Sequence, residues 1–220
     1  MRAQYTSWTA ALICLAAAMP LKADVKPNIT DYFSMYYAQH GADSGSLEFL
    51  RNAAASHIGA NRLLEPAPSR TVIIDRRNGF VQIYDGSGTD QTLTIALYRK
   101  ADGSSLILVG SSDCADGCDF AVQLFVPGPN GLIPVPARQV LPRVGAARFI
   151  KPGHAMPKAI SGIDPMINYV PARAGTALTL KPWYGYETEE QMTAATRAAI
   201  RDVILKWDRA RGVFVVPAAR

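Results

Sequence analysis

Apolar side chains recur at intervals of three and four early in the chain and at intervals of two beyond residue 70, and this change of period divides the expected structure. Ile29, Tyr32, Phe33, Tyr36, Tyr37 and His40 fall on one face of a helix that Asn28 or Thr30 caps and Gly41 ends. A second helical stretch from Ser46 sets Leu47, Leu50, Ala54 and His57 on one face, so 28–57 reads as an N-terminal helical segment. Glu65-Pro66-Ala67-Pro68-Ser69 reads as a stiff linker, because each proline disfavours helix in the residue before it.

Beyond it, β-rich runs at 71–75 and 80–84 flank Asn78-Gly79, a strong hairpin signal. Leu93, Ile95 and Leu97 alternate with Thr92, Thr94 and Ala96, and Ala101-Asp102-Gly103 turns the chain back into 106–109. The run 120–126 ends at Pro127-Gly128-Pro129-Asn130-Gly131, and 132–135 returns beside it. Pro134 and Pro136 restrict that return to a sheet edge, since proline cannot donate to a ladder. From 143 to 165 glycine, proline and lysine occur without period, as in a loop. A hairpin around Gly175 pairs 168–170 with 177–180. Thr188-Glu189-Glu190-Gln191 has the spacing of a capping box and starts a helix to about Ala199. Val203, Leu205 and Trp207 then alternate before a return at 213–216. The expected fold class is α+β, an antiparallel β meander with N-terminal helices and a short late helix packed on it.

Ahead of these elements stand Arg2, an apolar run over 10–19, and Leu21-Lys22-Ala23 before Asp24. That order is a secretory signal peptide cleaved near Ala23, and its apolar run is shorter than the roughly 20 residues a bilayer span needs. The expectation is a signal at 1–23 and one β-rich exported domain at 24–220, periplasmic or secreted, with no membrane span. A content of 49% hydrophobic and 19% charged residues excludes a disordered chain, and the abundance of Ala and Arg suits a bacterial source.

Removal of the signal takes Cys14 with it. Ile13 stands where a lipid-anchor signal needs a small residue, so Cys14 is no anchor. Cys114 and Cys118 remain, an even count in an oxidising compartment, and read as a disulfide. Redox-active pairs more often take the Cys-x-x-Cys form at a helix start, whereas this pair lies between strands beside Asp113, Asp116 and Asp119. Its reading is structural.

The net charge falls from +5 to +3 as Arg2 and Lys22 leave. Residues 24–120 hold 8 basic and 12 acidic side chains, and residues 121–220 hold 13 and 6. No acid lies between Asp119 and Asp164, where Arg138, Arg143, Arg148, Lys151 and Lys158 fall. Long-range attraction makes these five the expected contact for an anionic envelope component, with a solvated loop as the competing reading. The compartment excludes nucleic acid as a partner.

Chemistry-bearing motifs are sparse. The carboxylates at 113–119 and the loop 85–90 carry oxygens of the kind calcium prefers, but the second departs from the EF-hand pattern at Asp90 and Ala96, and turns select the same residues. His40, His57 and His154 have no second ligand at metal spacing, and neither a Gly-x-Ser-x-Gly elbow nor a phosphate-binding glycine loop occurs. No cofactor is expected. Trp183-Tyr184-Gly185-Tyr186 is suited either to stacking on a sugar or to closing the end of a β core.

Asn78-Gly79-Phe80, Ala96-Leu97-Tyr98, Asp102-Gly103, the Cys114 and Cys118 pair and the closing Leu205-Lys206-Trp207 together resemble uncharacterised exported bacterial β-rich proteins. The resemblance covers 77–125 and the C-terminal end, and implies a fold without a function. The functional expectation is therefore an exported, non-catalytic binding protein that contacts an anionic envelope component or a protein partner. Its alternatives are a periplasmic hydrolase with His154 or His57 as base, and a small inhibitor of a lysozyme-like enzyme acting through the acidic half.

Overall fold

The computed structural model describes residues 27–40, 63–67, 70–85, 90–114 and 117–217. The expected signal, the second helix of the 28–57 segment, and His57 lie outside these residues. The helix expected at the N-terminus is α1 (Ile29–His40), which buries Ile29, Tyr32, Phe33 and Tyr36. Asn28 does cap it, its Oδ1 accepting from the Thr30 amide at 2.8 Å.

Seven strands follow in an unbroken antiparallel meander: β1 (Leu63–Ala67), β2 (Arg70–Asp75), β3 (Phe80–Asp85), β4 (Asp90–Arg99), β5 (Ser105–Cys114), β6 (Asp119–Gly128) and β7 (Gly131–Pro134). The expected linker at 65–69 is thus corrected in its first part. Proline is compatible with β1 because β1 is an outer strand, and its pairing with β2 is irregular between Leu64 and Ala67. At the opposite edge β7 carries Pro134, as expected. Between β2 and β3 the turn spans 76–79, with Gly79 at φ +65°.

Residues 135–165 cross from this sheet to a second one, with 3-10 turns at Ala137–Gln139, Ala146–Phe149 and Lys158–Ile160. There β8 (Met166–Pro171), β9 (Ala177–Trp183), β10 (Val203–Asp208) and β11 (Val213–Val215) form a four-stranded antiparallel sheet in the order β11-β10-β9-β8. The chain therefore meanders twice. The single late helix is corrected to two, α2 (Tyr186–Gln191) and α3 (Ala194–Ala199). Thr188 lies inside α2, and the cap is Thr193, whose Oγ1 accepts from the Thr196 amide at 3.1 Å. Met192 between them is extended at ψ 122° and buried with Ile150, Ile160 and Tyr184. Burying that side chain and capping α3 both favour the break.

The result is three layers. On one face of the seven-stranded sheet α1 packs over Val72, Ile83, Ile95, Ile107 and Val109. On the other face Phe80, Tyr98, Leu106, Leu108 and Leu124 pack against Leu178, Leu180, Leu205 and Trp207 of the second sheet. Strand β5 is consequently buried on both sides from Ser105 to Gly110, and reads as a continuous apolar run rather than an alternating one.

Candidate functional site

Sheet edges are where this fold leaves backbone unpaired, and the protein closes most of the β6–β7 edge with its own groups. Gln39 of α1 acts as a surrogate strand partner. Its Nε2 donates to the Leu132 carbonyl at 3.3 Å, and its Oε1 accepts from the Leu132 amide at 2.9 Å. Next along, the Val135 amide donates to the Leu124 carbonyl at 2.7 Å. Backbone groups alternate in direction along a strand, so Phe120 and Val122 turn their N–H and C=O groups to the same outer side as Leu124. Strand β7 pairs only from Phe125 onward, and among the described residues nothing pairs with Phe120 or Val122 on that side.

Two hollows lie beside this open stretch, one along residues 119–121 of β6 and one along 122–125. One, of about 560 Å³, is bounded by Gln39, His40, Val122, Phe125 and Val135. The other, of about 250 Å³, is bounded by Tyr36, Gln91, Ser111, Asp113, Asp119 and Ala121. The second exists because side chains on the α1 face shrink along the sheet. Val109 and Gln123 are paired in register, then Ser111 and Ala121, then Asp113 and Asp119. Tyr36 marks the boundary, donating from its hydroxyl to Gln123 Oε1 at 3.0 Å, and its burial raises its pKa. In the last row Gln91 Nε2 donates to Asp113 Oδ2 at 2.8 Å, while Asp113 Oδ1 is buried without a partner.

The Cys114–Cys118 disulfide joins β5 to β6 directly after this row, with the two Cα atoms 4.1 Å apart. Asp116 and the loop 86–89 lie outside the described residues, so both calcium readings fall partly outside the structure. Among the described residues no group of three His, Cys, Asp or Glu is placed to hold a metal. On the opposite face of the β6 edge, Phe120 packs edge-on to Trp183 at 6.0 Å, and Trp183 edge-on to Tyr186 at 5.4 Å. Of the three aromatics in the run 183–186, Tyr184 is buried in the small cluster with Met192, and Tyr186 is 45% exposed.

The five expected basic contacts are all exposed, and two of them share one groove. Arg138 and Arg143 bound a groove of about 450 Å³ with Leu141, Val144, Ile167 and Tyr169, and Asp164 lies on it too. Arg148 lies farther on, its carbonyl accepting from Arg201 Nε at 3.0 Å. Lys151 Nζ donates to the Ala198 carbonyl at 2.6 Å, satisfying an orphan acceptor at the end of α3. Lys158 sits in the 3-10 turn that touches α2. His40 packs at a tilt against both Tyr36 and Phe125, at 4.8 and 5.5 Å. His154 is exposed, with Nδ1 3.4 Å from the Pro152 carbonyl. The open β6 edge had no sequence signal of its own, because it follows from β7 being shorter than β6.

No protein-family model matches the chain, and no curated protein sequence matches it. Among solved structures, a domain of an uncharacterized protein from Porphyromonas gingivalis W83 is similar, with a TM-score of 0.54 at 13% identity. The match covers 77% of this chain and 88% of that one. The likeness is one of fold.

Proposed function

We propose that this is an exported, non-catalytic binding protein that engages a polypeptide partner by adding a strand to the open edge of β6. The observation that carries the reading is the pair of outward-facing backbone residues, Phe120 and Val122, which among the described residues have no ladder on their outer side, beside the two hollows. Main-chain pairing supplies affinity in strand addition, and pockets for alternate side chains supply selectivity. Export rests on the N-terminal signal order and accords with the Cys114–Cys118 disulfide.

The test is fluorescence anisotropy of a labelled seven-residue peptide alternating valine and threonine, titrated with the purified protein and with Val122→Pro. Circular dichroism of the variant checks its fold. Saturable binding that Val122→Pro abolishes supports strand addition, because proline removes the edge donor. Binding that is absent, or indifferent to the substitution in a folded variant, contradicts it.

A second reading is favoured by the Arg138 and Arg143 groove, which offers two guanidiniums over an apolar floor to an anionic envelope component. Sedimentation with anionic vesicles at low salt, lost when both arginines become glutamate, supports it. Vesicle binding that is absent, or unchanged by charge reversal, removes it.

A further inference from the structure

We propose that the strand added to β6 carries a basic side chain opposite Asp119 and a bulky apolar side chain two residues away, opposite Ala121. This deepens the strand-addition reading and rests on it. Residues Asp113 and Asp119 are paired directly in register, so their β-carbons stand roughly 5 Å apart on the α1 face. Like charges so placed destabilise the sheet, and a cation beside Asp119 offsets the repulsion. Of the two carboxylates, Asp113 has one oxygen engaged by Gln91 and the other without a partner. Asp119 is exposed at the outer edge.

An added strand bonds to Phe120 and Val122 and places its intervening residues opposite Asp119, Ala121 and Gln123. Those are the non-hydrogen-bonded positions, where cross-strand side chains stand closest. The residue opposite Asp119 shares its face, so a lysine or arginine there meets Asp119 directly, with Asp113 one strand farther in. Two residues along, the same face opens over the hollow left by Ser111 and Ala121, which accepts a leucine-sized side chain. Charge complementarity therefore selects a basic extended segment over an acidic one.

The test compares three labelled seven-residue peptides with threonine at every odd position, leucine at positions 2 and 6 and lysine, glutamine or glutamate at position 4, so that the varied residue and leucine share one face two residues apart, by anisotropy at low and physiological salt. The lysine peptide is expected to bind about fivefold or more tighter than the glutamine peptide at low salt, in the range of an exposed ion pair. That preference should shrink with added salt and in Asp119→Asn. Asp119→Lys should reverse it toward the glutamate peptide, which a merely structural role for Asp119 would not produce. Equal affinities for all three peptides, with Asp119→Lys unchanged, overturn the basic-segment proposal and leave strand addition standing. No binding of any peptide overturns strand addition itself. Sedimentation showing the protein paired with a second copy through a Val122-sensitive contact also overturns the proposal, since the edge is then self-occupied.

Discussion

The carbonyl oxygen of Tyr169 in β8 lies over Gly110 in β5 so closely that a Cβ on Gly110 would stand 2.8 Å from it. Backbone meets backbone at this crossing of the two sheets, so a side chain cannot be accommodated by rotating away. Gly110→Ala should push the sheets apart and cost about 1–3 kcal/mol, read as a lowered urea midpoint. Gly145→Ala, with nothing within 4 Å of the new atom, is the control and should change stability by no more than about 0.5 kcal/mol.

Neighbouring residues of β5 face different layers, and both are fully buried: Ile107 toward α1, Leu108 toward the second sheet. Ile107→Ala and Leu108→Ala should each cost about 2–5 kcal/mol in denaturant unfolding. A one-sided sheet would show only one of the two losses.

Much of this layering was legible in the chain. The switch from period three-to-four to period two located α1 and most strands, and Pro134 marked the β7 edge. The continuous apolar run of β5 also fits burial on both faces. What local pattern could not carry was the second sheet's position, because Leu178, Leu205 and Trp207 meet Leu108 only after residues 135–165 cross over. Proline at 66 misled for the opposite reason, since an outer strand tolerates what a central one does not. Within the site, Asp113 and the disulfide were visible as residue types. The hollow beside them depends on Ser111 and Ala121 falling in register, which is a pairing and not a motif.

Asp75 links the two sheets at long range, accepting from Arg173 Nε at 3.0 Å across 98 positions. The Asn78 side chain first, and then the Asn78 amide and Arg173, hold its carboxyl below the usual range. Such a group contributes fully above its unfolded value near pH 4 and loses that contribution as pH falls through its folded value. Asp75→Asn should therefore lower stability at pH 7 by up to about 1 kcal/mol, given the exposed arginine. The gap between variant and parent in acid-unfolding curves should narrow as pH falls below the unfolded value and close once pH lies below the lowered folded value.

The disulfide encloses three residues, so its entropic contribution is small. Replacing Cys114 and Cys118 with serine should cost roughly 2 kcal/mol. Urea unfolding of the double variant, compared with the parent with and without reductant, checks the figure. The parent in reductant should move toward the variant, and the variant should not respond.

Amide hydrogen exchange at Phe120 and Val122 tests the open edge most directly. In the protein alone both amides should exchange at rates close to those of unstructured chain, while Ile107 and Val109 at the centre of the sheet stay protected. Saturating leucine–lysine peptide should slow Phe120 and Val122 by about tenfold or more. Strong protection of both amides in the protein alone, or rates unchanged at saturation, would contradict binding at this edge.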